Sequence, residues 1–115
     1  MRKIKFRGKN IKTNKWEHGD LLQAPAQKQA WIFSSLNKQV IPESVGQYSE
    51  QNDVNGNEIY EGMNVRQVNV LVGTKDRDFT GVVKFYDGTW WIDSGTDAVE
   101  LFTETCKNTI ITGEE

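Results

Sequence analysis

Apolar and polar positions alternate in short runs along this chain. The clearest run is residues 81–92, Gly-Val-Val-Lys-Phe-Tyr-Asp-Gly-Thr-Trp-Trp-Ile. Asp87-Gly88 predicts a two-residue type I′ hairpin turn, which needs positive φ at both central residues and favours Gly for that reason. The turn sets the pairing: Tyr86 opposite Thr89, Phe85 opposite Trp90, Lys84 opposite Trp91, and Val83 opposite Ile92. Cross-strand partners share a face. One face is then Val83, Phe85, Trp90 and Ile92, wholly apolar, and it requires a core to cover it. The other holds Val82, Lys84, Tyr86, Thr89, Trp91 and Asp93, and can meet water or a partner. Burial of the first face predicts that Phe85→Ala costs about 3–5 kcal/mol.

The rest of the chain reads in the same short units. Lys3-Ile4-Lys5-Phe6-Arg7 alternates with period two and predicts a first strand, with Ile4 and Phe6 on its core side. Residues 8–14 are rich in turn formers, and residues 15–22 return as a second strand anchored by Trp16. Pro25 marks a loop over residues 23–27, because it lacks an amide donor and restrains its neighbour. Residues 30–34 form a third strand. Pro42 keeps Ile41 extended. Asn55-Gly56 is a second turn that needs positive φ. In residues 65–72 the parity of the apolar positions changes, which a bulge between Val65 and Val68, or burial on both faces, would explain. Residues 73–78 read as a mobile charged loop. Residues 99–102 and 109–112 are further short strands. The sum is a mainly β chain with little helix, a small barrel or sandwich of short antiparallel strands. It forms one domain over residues 1–115, with a soft boundary near residues 43–50, where the strand spacing changes.

Composition changes this picture only a little. The 115 residues suffice for one modest core, filled by four Trp, five Phe and three Tyr. One Cys excludes an intramolecular disulfide. No apolar run approaches a membrane span, and the charged N-terminus lacks the apolar stretch of a signal peptide. A cytoplasmic protein without membrane contact is expected. Charge is more informative. Seven of the fourteen basic residues fall in the first fifteen positions with no acid among them, leaving seven basic against sixteen acidic residues, net −9. Lys3, Lys5 and Arg7 are expected to form one positive row opposite Ile4 and Phe6.

Candidate chemistry is sparse. The oxygen-rich Asp53-Val-Asn-Gly-Asn57-Glu58 fails the calcium-loop test, with Gly at the fourth place rather than the sixth and Asn64 at the twelfth; a turn is expected instead. Cys106 and His18 are the only thiol and imidazole, too few for a nucleophilic site or zinc centre. Glu58 with Glu61, and Asp76 with Asp78, are ordinary charges beside turns. No catalytic residue, cofactor or metal is expected. The better signal is aromatic: Trp91 shares the mixed hairpin face with Lys84 and Tyr86, where it either packs against another sheet or the N-terminal half or, as such residues do, anchors an interface or stacks on bases.

Three segments resemble the YopX family of small phage and prophage proteins: the opening Arg2-Lys3-Ile4-Lys5-Phe6-Arg7, the block from Val45-Gly46-Gln47-Tyr48 through Asn55-Gly56-Asn57-Glu58-Ile59-Tyr60-Glu61-Gly62, and Gly81-Val82-Val83 with Asp87-Gly88. Met63 stands where the family usually has Asp, and the tail is shorter than the family's. The resemblance implies a mainly β fold with an SH3-like barrel in the second half, a phage setting in a bacterial host cell, and no established reaction. The resulting expectation is a binding protein that self-associates and meets a phage or host protein. Its candidate surface comprises Lys3, Lys5, Arg7, Lys84, Tyr86 and Trp91. The alternative is a single-strand nucleic-acid binder using the basic strand and the exposed aromatics, with weak binding at most near physiological salt because the remainder of the chain is acidic.

Overall fold

A computed structural model describes residues 4–34, 36–69, 77–102 and 106–111. Eleven strands run through the described residues: β1 (Phe6–Lys9), β2 (Trp16–Ala24), β3 (Gln29–Phe33), β4 (Asn37–Val40), β5 (Gly46–Asn52), β6 (Glu58–Tyr60), β7 (Asn64–Asn69), β8 (Arg77–Tyr86), β9 (Thr89–Asp93), β10 (Ala98–Glu100) and β11 (Cys106–Ile110). Only single 3-10 turns at Pro25–Gln27 and Pro42–Ser44 interrupt them. The chain is mainly β and its pairings are antiparallel, as the alternation predicts. It divides into two compact units, Met1–Tyr48 and Ser49–Glu115, and β5 runs from the first into the second.

In the first unit β1 to β4 pair in chain order, and β1 pairs on its other side with β5. β2 changes partner midway: Trp16 to Gly19 face β1, and Asp20 to Ala24 face β3. Gly19 sits at the change. A Cβ there would lie 2.4 Å from the Phe33 carbonyl oxygen, so glycine is what lets β3 come this close. The sheet then closes on itself. Asn10, just beyond β1, bridges Val40 at the end of β4. Ile11 N donates to Gln39 O (3.1 Å) and Ile41 N to Lys9 O (2.8 Å). Ala30, Ile32 and Val40 form the core inside, with Phe6, Leu21 and Val45 packed against them.

The second unit has a five-stranded sheet in the order β10-β9-β8-β7-β11. β7 pairs with β8 in continuous register, Val65 opposite Gly81 through Asn69 opposite Arg77, so of the two expected explanations the bulge between Val65 and Val68 is absent. Gln67 takes an inward place in this strand and is buried. Its Nε2 donates to Glu100 O (3.0 Å), Leu101 O (3.2 Å) and Asn108 Oδ1 (3.1 Å), and Asn108 Nδ2 also donates to Leu101 O (2.7 Å). β10 is one edge of this sheet and β11 the other. These bonds therefore mean that the sheet curls until the end of β10 reaches β7 and β11. A buried amide is tolerable here because its donors are satisfied.

Two loops brace this unit. Asp53 is buried, and its Oδ1 accepts the backbone N–H of Asn55 and Asn57 (both 2.9 Å), while Oδ2 accepts that of Ile110 (3.2 Å). The expected turn is present, and its carboxylate ties the β5–β6 connection to β11. At the β6–β7 connection Met63 Sδ accepts the Tyr60 N–H (3.3 Å). The thioether thus serves as the local acceptor. The loop predicted over residues 73–78 ends early. β8 already begins at Arg77, and Asp78 pairs with Val68 and with the Arg66 guanidinium. The remainder of that loop, and the apolar positions Val70, Leu71 and Val72, lie outside the described residues.

Candidate interaction surface

The β8–β9 hairpin forms with the predicted register, from Tyr86 opposite Thr89 to Val83 opposite Ile92. Asp87 and Gly88 have φ of 52° and 76°, the two positive values that a type I′ turn requires. The mixed face brings Lys84, Tyr86 and Trp91 together as expected. Tyr86 stacks on Trp91 with ring centroids 5.5 Å apart and planes 15° from parallel. Trp91 Nε1 donates to Tyr86 O (2.9 Å), and Lys84 Nζ lies 3.8 Å from Asp93 Oδ2. Partial burial raises the Tyr86 hydroxyl above its ordinary pKa, and the Asp93 and Asp87 carboxylates push the same way. One face of the Trp91 indole is thus already used by Tyr86, its N–H is engaged, and carboxylates stand beside it.

The apolar face departs from expectation. Val83 and Ile92 are fully buried, but Phe85 is 51% exposed and Trp90 only half-buried. The hairpin reaches beyond the core, so among the described residues its outer pair is only partly covered. Phe85 meets the Trp90 ring edge-on, with centroids 5.0 Å apart. Leu101 N donates to Trp90 O (3.1 Å), and the 60% exposed Phe102 follows it. Trp90, Leu101 and Phe102, with Ser49, Gln51 and Thr89, line a cavity of about 230 Å³. Sequence reasoning missed Phe102 and Phe85 as surface residues. It assigned Phe85 to the core and read Phe102 only as the end of a strand.

The basic row is also corrected. β1 begins at Phe6, and Ile4 lies before it, 58% exposed rather than on a core side. Lys3 is outside the described residues. Lys5 is half-buried, and its carbonyl accepts the Tyr48 N–H (2.7 Å). Arg7 is buried, with its guanidinium carbon 3.6 Å from the centre of the Trp16 ring. Lys9 Nζ approaches the same ring at 5.5 Å. A cation over an indole face is held by the ring quadrupole, and a buried guanidinium cannot track a phosphate backbone.

His18 lies on β2 of the first unit and Cys106 on β11 of the second. Among the described residues no group of three or more His, Cys, Asp or Glu could hold a metal ion. Among the described residues no helix is long and apolar enough to cross a membrane. The two units differ sharply in charge. Residues 1–48 hold nine Lys and Arg against three Asp and Glu, net +6, and residues 49–115 hold five against thirteen, net −8. In comparison with known proteins, a family model described as YopX protein matches residues 5–113. No curated protein and no solved structure matches the chain.

Proposed function

The chain belongs to the YopX family, and from that premise we propose that it works by binding rather than by catalysis, as a phage or prophage protein acting inside its bacterial host. The observation that carries this reading is the uncovered end of the hairpin. Phe85 and Phe102 stand in water beside a half-buried Trp90 and a cavity. Large aromatics grouped around a cavity on a small domain suit a contact surface, where such residues supply much of the binding energy.

A second copy of the chain is the occupant that the charges favour. One unit is net +6 and the other −8, so contact between the first unit of one copy and the second unit of another is attractive. The outer face of the first unit also exposes Leu22 and Phe33, apolar counterparts for such a contact. Contact of two different surfaces gives rings or open chains rather than a two-fold dimer. Sedimentation velocity at micromolar concentrations tests the reading. Association at low salt that weakens at moderate salt supports it. A monomer across the whole range refutes it.

A further inference from the structure

The first unit holds a second cavity, of about 410 Å³, between the β1–β2 connection and β4. That connection is shaped by Asn10. Its Oδ1 accepts the N–H groups of Lys12 (2.8 Å) and Thr13 (3.2 Å), and its Nδ2 donates to Glu17 Oε2 (2.9 Å). The bridge from Asn10 to Val40 then holds the connection against β4. The cavity is therefore preformed by backbone and turn bonds. Its size falls within the range of about 300–1,000 Å³ typical of small-molecule sites.

Its lining is chemically selective. Trp31, Asn37 and Gln39 share one face of the β3–β4 pair and bring an indole and two amides that both donate and accept, Lys12 and Lys38 are also among the lining residues, and no carboxylate lines the cavity. Neither lysine is ion-paired with a described residue. The surrounding unit is net +6. An aromatic plane beside two cations and two amides matches one ligand chemistry, a flat heteroaromatic base joined to a phosphate.

We propose that this cavity is a nucleotide site. The base stacks on Trp31, Asn37 and Gln39 meet its polar edge, and the phosphate lies by Lys12 and Lys38. The nucleotide is either free or one residue of a single strand. This site uses no residue of the hairpin and differs from the N-terminal basic row.

The test titrates the full chain with three probes at low and moderate salt: inorganic phosphate, a nucleoside monophosphate, and a labelled single-stranded oligonucleotide followed by anisotropy. Monophosphate binding identifies a free nucleotide; binding of the oligonucleotide alone identifies a strand. Trp31→Leu, which keeps apolar bulk, should weaken whichever binds by about tenfold or more, because stacking on an aromatic is lost. Lys12→Gln with Lys38→Gln should flatten the oligonucleotide's salt dependence by about 0.7 in log affinity per decade, for the one phosphate that the two lysines share. Lys15→Gln with Lys28→Gln removes the same charge at residues that do not line the cavity and should leave that slope in place. Phe85→Ser with Phe102→Ser should leave nucleotide binding in place, which separates this site from the hairpin contact. The proposal is overturned if no nucleotide probe binds, if Trp31→Leu binds as tightly as the parent, or if the control pair weakens binding as much as the cavity pair.

Discussion

At the base of the β8–β9 hairpin Val83 and Ile92 face each other and are fully buried. Two positions along the same face Phe85 and Trp90 also face each other, and Phe85 is half in water. The alternation that assigns these four residues to one face is correct. It says nothing about where the core beneath that face ends. The difference teaches that an apolar stripe longer than its core becomes a surface.

The comparison can be broken most forcefully at the base. Ile92→Ala should destabilise the chain by about 2–5 kcal/mol, as removal of fully buried aliphatic groups does. Denaturant unfolding measures it, and a near-neutral result would mean that the base is no more a core than the tip. Asp53→Ala comes next, because it strips three backbone N–H groups of their acceptor. A loss of about 2–4 kcal/mol is expected from hydrogen bonds to a buried carboxylate, with β11 amides exchanging faster with solvent hydrogen. At the tip, Phe85→Ala should cost only about 1 kcal/mol, since half of the ring is already in water. A cost of the core kind would place Phe85 back inside. The smallest effect concerns the mixed face. Tyr86 stays protonated in the folded chain above the pH at which it ionises in the unfolded one. Its contribution is complete below about pH 10 and is lost as pH rises through the raised folded value. Tyrosinate absorbance in parent and Tyr86→Phe chains reads that midpoint, and Asp93→Asn should move it down.

Much of the architecture was legible because its signals are local. Asp87-Gly88 dictates a turn, the turn dictates register, and period-two runs dictate strands. What escaped depends on distant partners. Gln67 reads as an interruption in an apolar strand until Glu100 and Leu101 present their carbonyls more than thirty positions away. Arg7 reads as a solvent charge until Trp16 of the neighbouring strand places an indole over it. Of the surface residues named from sequence, Lys84, Tyr86 and Trp91 come together because one hairpin holds them. Arg7 does not join a surface, because the face opposite Phe6 is covered too. Phe102 carried no local signal. It becomes exposed only where the chain leaves β10 beside Trp90.

The measurement that reaches the central claim most directly is sedimentation velocity of Phe85→Ser with Phe102→Ser against the parent, on samples whose unfolding is checked in parallel. The account predicts that the parent associates at micromolar concentration and low salt, and that the variant stays folded and sediments as a monomer. A folded variant that associates as strongly as the parent would show that the exposed hairpin tip is not the contact surface.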